Sequence, residues 1–278
     1  MSGLEKSYKE NTIAIIGAGT IGSAIVKSLL KEGFKKIIAT RRNIEKLKDL
    51  EKMGVEVTSN NKLAASKADI IILSVKPHDI INVLKEIERE IENKLVISVA
   101  AAIPLSLLKK AAPKSRFIRA MPNIAVLVQE SFTAYCLEKD VNEEDIKKAE
   151  IIFKAMGKYA RVEEKFMNAI TALSGSAPAY LAVVLEALSY AGLKVGLPRD
   201  LSLFSSAQAF IGLGKLVLET GKHPAELKDM VVTPAGVTIE AIYEVENSSV
   251  RTAIMKAVEA ATNKSEIIVK KMMESSET

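Results

Sequence analysis

Three glycines near the N-terminus have the spacing of a phosphate-binding loop. Gly17, Gly19 and Gly22 form G-x-G-x-x-G between an apolar, β-branched run, Thr12–Ile16, and a segment of helical periodicity, Ile21–Lys31. In that context the first glycine makes a tight turn, the second admits a pyrophosphate to the backbone, and the third lets the helix pack closely on the strand. Amides at the helix N-terminus add anion-binding donors. The pattern predicts a dinucleotide-binding loop.

Two arginines indicate which dinucleotide is bound. The second apolar run ends at Thr40, Arg41 and Arg42, with no acid at the place where an NAD site holds the ribose 2′-hydroxyl. Because a guanidinium can bind phosphate through two hydrogen bonds, the pair favours a 2′-phosphate. We expect NADP(H), with NADPH preferred and NADH able to substitute. The alternative is that both arginines are solvated loop charges.

Two further loops are expected beside the cofactor. Ser74–Pro77 lies at the end of the fourth predicted strand, and Ala100–Ala102 lies at the end of the fifth. The carboxyl ends of strands line the ligand crevice of a doubly wound sheet. Small residues after the later strand would let the nicotinamide half approach; ordinary core packing is the alternative.

The remaining chemistry-bearing residues argue against other classes of site. Cys136 is the only cysteine and His78 and His223 are the only histidines, so we expect no internal disulfide and no metal centre. The net charge of +5 is distributed among mixed-sign segments, which disfavours nucleic-acid binding. Met1–Asn11 lacks the apolar core of a signal peptide, and no later run is judged long enough to span a bilayer, so we expect a cytoplasmic protein.

The first half of the chain alternates strands with helices. This alternation predicts a doubly wound, mainly parallel α/β sheet of the Rossmann type over residues 1–161. The expected strands are Thr12–Ile16, Lys36–Thr40, Glu56–Thr58, Ile70–Val75, Leu95–Ala100, Phe117–Arg119 and Ser131–Leu137. The expected helices are Ile21–Lys31, Ile80–Ile91, Leu105–Ala111 and Glu143–Met156, the last capped by Asn142 and stopped by Gly157.

The second half, residues 162–278, is predicted to be all-helical. The expected helices are Phe166–Ser174, Ala179–Val195, Leu201–Thr220, Thr238–Glu246 and Val250–Met273. Two of them, Ala179–Val195 and Leu201–Thr220, are apolar on more than one face. Because one small helical domain cannot bury such helices, we expect an extensive subunit interface, in a homodimer or a higher homo-oligomer.

Several ordered motifs together resemble the pyrroline-5-carboxylate reductase family over nearly the whole chain. They are Ile16–Gly19, Ser74–His78, Arg119–Asn123, Leu173–Tyr180 and Leu227–Thr238. The last stretch resembles the family's Val-Thr-Ser-Pro-Gly-Gly-x-Thr signature. Five positions depart from the family pattern. Val232 replaces a small polar residue and Thr233 a serine, while Ala102, Ala177 and Ala235 replace glycines. Since Thr233 keeps a hydroxyl and the alanines are small, we expect the site to survive.

The resemblance implies reduction of the cyclic imine 1-pyrroline-5-carboxylate to L-proline, the last step of proline biosynthesis. Such a site needs a cradle for the substrate carboxylate, and the turn from Thr233 through Gly236 and Val237 into a helix offers free amides. By family position, Thr238 contacts the ring nitrogen and is the catalytic residue. A threonine hydroxyl is too weak an acid to act alone, so a water relay or a pre-protonated iminium is expected. Helix capping by Thr238 is the alternative.

The resemblance adds two substrate-binding residues. Ser176 lies in a predicted turn-to-helix junction, where N-capping is the alternative, and Glu164 is assigned by family position across a subunit interface. The cofactor-binding residues predicted in total are Gly17, Ala18, Gly19, Thr20, Ile21, Gly22, Thr40, Arg41, Arg42, Asn61, Val75, Lys76, Pro77, Ala100 and Ala101.

Three other functions compete with this one. Tyr135 and Lys139 spell the Tyr-x-x-x-Lys of short-chain dehydrogenases, but that pair works on a helix and the segment reads as a strand. Hydroxyacid or other imine reductases also join a Rossmann half to a helical half, although the Thr233–Thr238 turn fits the former poorly. A catalytically silent NADP-binding sensor is the non-enzyme alternative.

Overall fold

The computed structural model describes residues 7–275, and its first part contains one large sheet. The strands are β1 (Ile13–Ile16), β2 (Ile37–Thr40), β3 (Glu56–Thr58), β4 (Ile70–Leu73), β5 (Leu95–Ser98), β6 (Arg116–Met121), β7 (Ser131–Leu137) and β8 (Gly157–Arg161). Their order in the sheet is β3-β2-β1-β4-β5-β6-β7-β8. The seven predicted strands are confirmed to within a few residues, and β8 was missed.

The sheet is parallel from β3 through β6 and then changes direction. β1 pairs in parallel with both β2 and β4, while β7 is antiparallel to β6 and β8 runs parallel to β7. The chain moves outward from β1 to β3 and then returns to the other side of β1 at β4. This reversal makes the loops after β1, β2 and β4 a topological switch point, which is where doubly wound sheets bind ligands.

Helices cover both faces of the sheet. They are α1 (Thr20–Lys31), α2 (Lys48–Lys52), α3 (Asn61–Lys67), α4 (Ile80–Ile87), α5 (Leu105–Ala111), α6 (Glu143–Met156) and α7 (Met167–Ile170). One buried cluster joins the sheet to α1, α2 and α6, and the other joins it to α3, α4, α5 and α7. The doubly wound α/β prediction is therefore confirmed. Short 3₁₀ turns lie at Ile44–Leu47, Pro77–Asp79, Glu88–Ile91, Ile124–Val128 and Glu164–Phe166.

Local signals explain where these helices start and stop. The Asn142 side chain accepts a hydrogen bond from the Asp145 amide at 2.9 Å and caps α6, as predicted. Gly157 ends α6 with a φ of 140°, where a Cβ would overlap the Ser131 backbone. The glycine thus both stops the helix and begins β8 against β7.

The later part of the chain is all-helical, as predicted. Its helices are α8 (Ala177–Lys194), α9 (Arg199–Thr220), α10 (Pro224–Met230), α11 (Val237–Glu246) and α12 (Val250–Glu274). The chain divides into two compact units. The first holds the described residues up to Ser176 and from Ala261 onward, and the second holds Ala177–Ala260. The predicted boundary between residues 161 and 162 falls within the first unit. The division into a cofactor-binding domain and a helical substrate-binding domain at that point therefore stays a prediction.

The expectation that no run is long enough to span a bilayer was wrong. Among the described residues, two helical stretches, Glu164–Lys194 and Arg199–Thr220, pass that test on length and composition alone. Both are mostly exposed in the single chain, with side chains such as Val183, Phe204 and Leu218 largely open to solvent. Core helices of soluble assemblies pass the same test.

A second correction concerns the segment before α8. Residues Ser174–Pro178 were predicted to form a turn entering a helix, with capping by Ser176 as the alternative to a substrate-binding role. Instead Thr171–Gly175 is one π-helical turn inside a continuous helix, and Ser176 has helical backbone angles. Pro178 has no N–H to donate to the carbonyl of Ser174 four residues earlier. That carbonyl accepts from the Asn123 side-chain amide at 3.2 Å, which satisfies the widened turn.

Candidate functional site

Each of the three glycines in the loop after β1 is suited to its position for a different physical reason. Gly17 has a φ of 88°, and a Cβ there would overlap the Val75 side chain. A Cβ on Gly22 would lie 2.9 Å from the Gly17 carbonyl oxygen and 3.1 Å from Ser74 Oγ. A Cβ on Gly19 would meet only the Gly17 oxygen at 3.9 Å, so the space beside it is open. This geometry fits a tight turn, a close helix–strand contact and room for a pyrophosphate.

The start of α1 adds an anion-binding element to this loop. Gly19 is the N-cap of α1; no side chain among the described residues caps it, and its first turn contains no acidic residue. The exposed amides and the helix dipole therefore favour an anion at this end.

A chain of hydrogen bonds positions Thr40 and Asn61. The Gly17 amide donates to Thr40 Oγ1 at 3.2 Å, and the Thr40 hydroxyl donates to Asn61 Oδ1 at 2.7 Å. The Asn61 amide group donates in turn to Glu86 at 3.1 Å. These hydrogen bonds connect the ends of β2 and β3 to the glycine loop. They also bring Asn61 close to that loop, a contact that its position in the sequence does not reveal.

A crevice of about 390 Å³ opens at this point of the sheet. Eight predicted cofactor residues line it: Gly17, Gly19, Thr40, Arg41, Arg42, Asn61, Val75 and Lys76. Ser74, from the loop that was expected beside the cofactor, also lines it, and five further lining residues were not predicted: Asn43, Lys46, His78, Asp79 and Val83. Four cationic side chains, at Arg41, Arg42, Lys46 and Lys76, suit a ligand with several phosphates. The residues present therefore fit a phosphorylated dinucleotide.

The other predicted cofactor residues do not line the crevice. They are Ala18, Thr20, Ile21, Gly22, Pro77, Ala100 and Ala101. The side chain of Ala18 is fully buried and that of Ala100 nearly so. Thr20 and Ile21 lie in the first turn of α1, where their backbone amides are available to an anion. Ala102, next to Ala101, has a φ of 60°, an unusual conformation for alanine.

The predicted substrate turn lies in the second unit. Gly236 is the N-cap of α11, and a Cβ on it would overlap the Thr233 side chain. The Gly236 amide donates to the Thr233 carbonyl at 3.0 Å, so this amide is not free for a carboxylate, contrary to expectation. The amides of Val237 and Thr238 lie in the first turn of α11, where backbone N–H groups have no partner within the helix.

Thr238 is the second residue of α11. It is half-buried in the first turn of α11, and in the described chain its hydroxyl forms no hydrogen bond with its own backbone. Capping therefore does not account for this residue. His223, by contrast, caps α10, because its Nδ1 accepts from the Ala225 amide at 3.2 Å.

Ser176 and Glu164, the other predicted substrate residues, belong to the first unit and are both engaged. The Ser176 hydroxyl donates to the Thr171 carbonyl at 3.2 Å. Glu164 Oε1 accepts from Arg119 at 3.0 Å and from the Leu105 amide at 2.8 Å. Glu164 also lines an open cavity of about 850 Å³.

Tyr135 is unsuited to dehydrogenase catalysis. It lies in β7, as predicted, and its hydroxyl donates to Glu150 at 2.6 Å. Burial, reinforced by Glu150, holds the pKa of this phenol well above its ordinary value. Because the segment is a strand, Tyr135 and Lys139 do not share a helix face. Among residues 7–275, no group of three or more His, Cys, Asp or Glu side chains could hold a metal ion.

Known proteins resemble the chain in both sequence and structure. A family model for pyrroline-5-carboxylate reductase dimerisation matches residues 164–268, and one described as NADP oxidoreductase, coenzyme F420-dependent, matches residues 12–102. A pyrroline-5-carboxylate reductase of Methanosarcina acetivorans is 41% identical, over 93% of this chain and 98% of that protein. The Arabidopsis thaliana enzyme of the same name is 36% identical, over 91% and 94%.

Solved structures give the same result. A pyrroline-5-carboxylate reductase from Coxiella burnetii superposes with a TM-score of 0.86 at 34% identity, covering 93% of this chain and 98% of that one. A pyrroline carboxylate reductase from Plasmodium falciparum, solved with NADP bound, has a TM-score of 0.84 at 30% identity, covering 94% and 99%.

Proposed function

The chain belongs to the pyrroline-5-carboxylate reductase family, and we propose that it reduces 1-pyrroline-5-carboxylate to L-proline with NADPH. The observation that carries the proposal is the full-length similarity, 41% identity over 93% of the chain, together with a crevice whose glycines and cations fit a dinucleotide. When bound in this crevice, NADPH would supply the hydride needed to reduce the imine. The protein must orient the ring, hold its carboxylate and manage the proton on its nitrogen.

In the cofactor crevice, Gly17, Gly19 and Gly22 shape the pyrophosphate loop, while Thr40 and Asn61 order the adjoining strand ends. Arg41 and Arg42 bind the 2′-phosphate. The support for this role is that both line the crevice directly after β2, with no acid in that loop before Glu45. NADP bound to the Plasmodium relative agrees with pyridine nucleotide binding here.

Affinity measurements test the preference for NADPH. Replacing both arginines, Arg41→Gln with Arg42→Gln, should weaken NADPH binding by at least about tenfold, since charge-assisted bonds are lost, and leave NADH nearly unchanged. Arg89→Gln, which removes an exposed charge elsewhere, is the matched control. Wild-type protein that binds NADH as tightly as NADPH would contradict the 2′-phosphate role.

The turn from Thr233 into α11 binds the substrate. The amides of Val237 and Thr238 face the carboxylate, with Gly236 required for the shape of the turn and Thr233 packed against it. The Thr238 hydroxyl hydrogen-bonds the ring nitrogen and relays or orients its proton through water, since it cannot act alone as an acid. Ser176 and Glu164, in the first unit, are also proposed as substrate-binding residues, from their positions in the family pattern.

Kinetics of Thr238 variants test this assignment. Thr238→Val should lower kcat roughly 10- to 100-fold through loss of one hydrogen bond to a charged group, with NADPH affinity unaltered. Thr238→Ser keeps the hydroxyl and should retain most of the activity. Unchanged turnover in Thr238→Val would remove the residue from the mechanism.

The exposed apolar faces of α8 and α9 bind a second copy of the chain. The dimerisation family model spans both helices, and their apolar side chains lie open in the single chain. Phe204→Glu should shift the protein toward monomer in sedimentation analysis, whereas Met53→Glu, on an exposed turn after α2, should not. With these faces covered by a partner, we propose a cytoplasmic location and no role for a membrane, nucleic acid or metal.

A further inference from the structure

We propose that Asp79 limits the preference of the crevice for NADPH, because its carboxylate competes with the 2′-phosphate for Arg42. This inference rests on the proposed NADPH-dependent function and concerns how strongly that function discriminates against NADH.

The ion pair itself is the first observation. Arg42 Nη2 lies 3.0 Å from Asp79 Oδ1. The Asp79 side chain is 25% exposed, whereas that of Arg42 is 87% exposed. Asp79 ends a 3₁₀ turn, and its amide donates to the Lys76 carbonyl at 2.9 Å, which fixes its backbone. The carboxylate is thus the fixed partner, and it determines where the exposed guanidinium rests.

The position of the pair in the sheet makes it relevant to the ligand. Arg42 follows β2 and Asp79 follows β4, and these strands flank β1 on either side. The glycine loop continues from β1 between them. The pair therefore bridges the two walls of the crevice, and both residues line it.

The charges around the crevice make Asp79 exceptional. It is the single acidic residue among the described side chains that line the opening. Of the two arginines, Arg41 contacts a backbone oxygen, because its Nη1 lies 3.4 Å from the Ala18 carbonyl of the glycine loop. Arg42 is therefore the arginine for which a 2′-phosphate must compete with a carboxylate. A dianionic phosphate drawn to Arg42 is also repelled by Asp79, while the neutral 2′-hydroxyl of NADH is not.

The expected size of the effect follows from exposure. An exposed ion pair is worth little, so its loss should change affinity by only about two- to fivefold. The effect should shrink as salt screens the charges. Asp79 is a specificity-determining residue, not a switch.

Calorimetric titration of the full-length Asp79→Asn protein with NADPH and NADH tests the proposal. At about 20 mM salt, NADPH should bind roughly two- to fivefold more tightly than to wild type, with NADH unchanged, and the gain should disappear near 300 mM salt. Glu88→Gln removes an exposed negative charge just after α4 and should alter neither affinity.

A double-mutant cycle separates this inference from the function on which it rests. In an Arg42→Gln background, Asp79→Asn should give a smaller gain than in wild type, because the competed cation is absent and only the direct repulsion between Asp79 and the phosphate is relieved. If Arg42→Gln lowers the NADPH preference but Asp79→Asn leaves it unchanged or lowers it, the role of Asp79 is overturned and the proposed function stands. If neither Arg42→Gln nor the double arginine variant alters the preference, the 2′-phosphate assignment itself fails.

Discussion

Arg119 and Glu164 form an ion pair at 3.0 Å, although Arg119 lies on β6 and Glu164 begins the helical turn after β8. Arg119 is only 3% exposed, so its charge needs a partner. The same Glu164 oxygen accepts the Leu105 amide at the start of α5. One carboxylate therefore ties together a strand, a helix start and the segment that leads into α7.

Replacing this carboxylate should affect stability. Glu164→Gln keeps an oxygen acceptor but leaves the Arg119 charge uncompensated. We expect a loss of about 1–3 kcal/mol in unfolding free energy, below the value for a fully buried pair because Glu164 is partly exposed. Urea denaturation measures this, with exposed Glu163→Gln as control. Unaltered stability with a severalfold higher KM for the imine would instead assign Glu164 to the substrate alone.

Gly19 and Gly22 should respond differently to the same substitution. The space beside Gly19 is open, so Gly19→Ala should leave Tm nearly unchanged but weaken NADPH binding at least about tenfold by crowding the pyrophosphate. In Gly22→Ala the new Cβ would lie 2.9 Å from the Gly17 oxygen, so overpacking should cost about 1–3 kcal/mol. Thermal unfolding and calorimetry on both proteins check this, and equal losses of Tm would contradict it.

The fold was predictable where a short apolar run forms a buried strand. β1, β2, β4 and β5 are buried throughout, and their sequences carry that signal directly. β8 was missed because Gly157–Arg161 is a polar, half-exposed edge strand whose existence depends on pairing with β7. The π-helical turn was also unpredictable. It depends on Asn123, a residue distant in sequence, whose side-chain amide donates to the Ser174 carbonyl the hydrogen bond that Pro178 cannot donate.

The site was predictable where spacing alone fixes the geometry, as in the glycine loop. Lys46 and Asp79 were missed because they reach the crevice from separate loops that only the strand order brings together. The Gly236 amide was assigned to the substrate because sequence cannot show that the turn uses it internally.

The Cys136 thiol should give the protein a specific alkaline instability. It is 4% exposed, and burial, with a further contribution from the charge of Glu164, raises its pKa from 9.0 to about 12. The folded state thus favours the neutral thiol, whereas the unfolded chain ionises near pH 9. This contribution is constant below pH 9 and is lost as the pH rises from about 9 to 12.

Urea unfolding of wild type and Cys136→Ala across that range measures this contribution. The difference between the two unfolding free energies should be flat at pH 7–8.5 and then change with a slope approaching 1.4 kcal/mol per pH unit. Tyr135, whose pKa is also raised by burial, affects both proteins alike. A difference that stays flat to pH 10.5 would contradict the predicted ionisation.

Two of the three alanines that replace family glycines should be sites of backbone strain. Ala102 and Ala235 have φ values of 60° and 57°, in the left-handed region that disfavours a Cβ, whereas Ala177 begins the regular helix α8. Small size alone, the argument available from sequence, treats the three alike. Conformation separates them: Ala102→Gly and Ala235→Gly should each raise the unfolding free energy by about 0.5–1 kcal/mol, after the greater entropy of unfolded glycine is counted. Ala177→Gly should lower it by a similar amount. Chemical denaturation of the three variants tests this prediction. If the unfolding free energy changed in the same direction at all three positions, the backbone angle would not control the effect of the substitution.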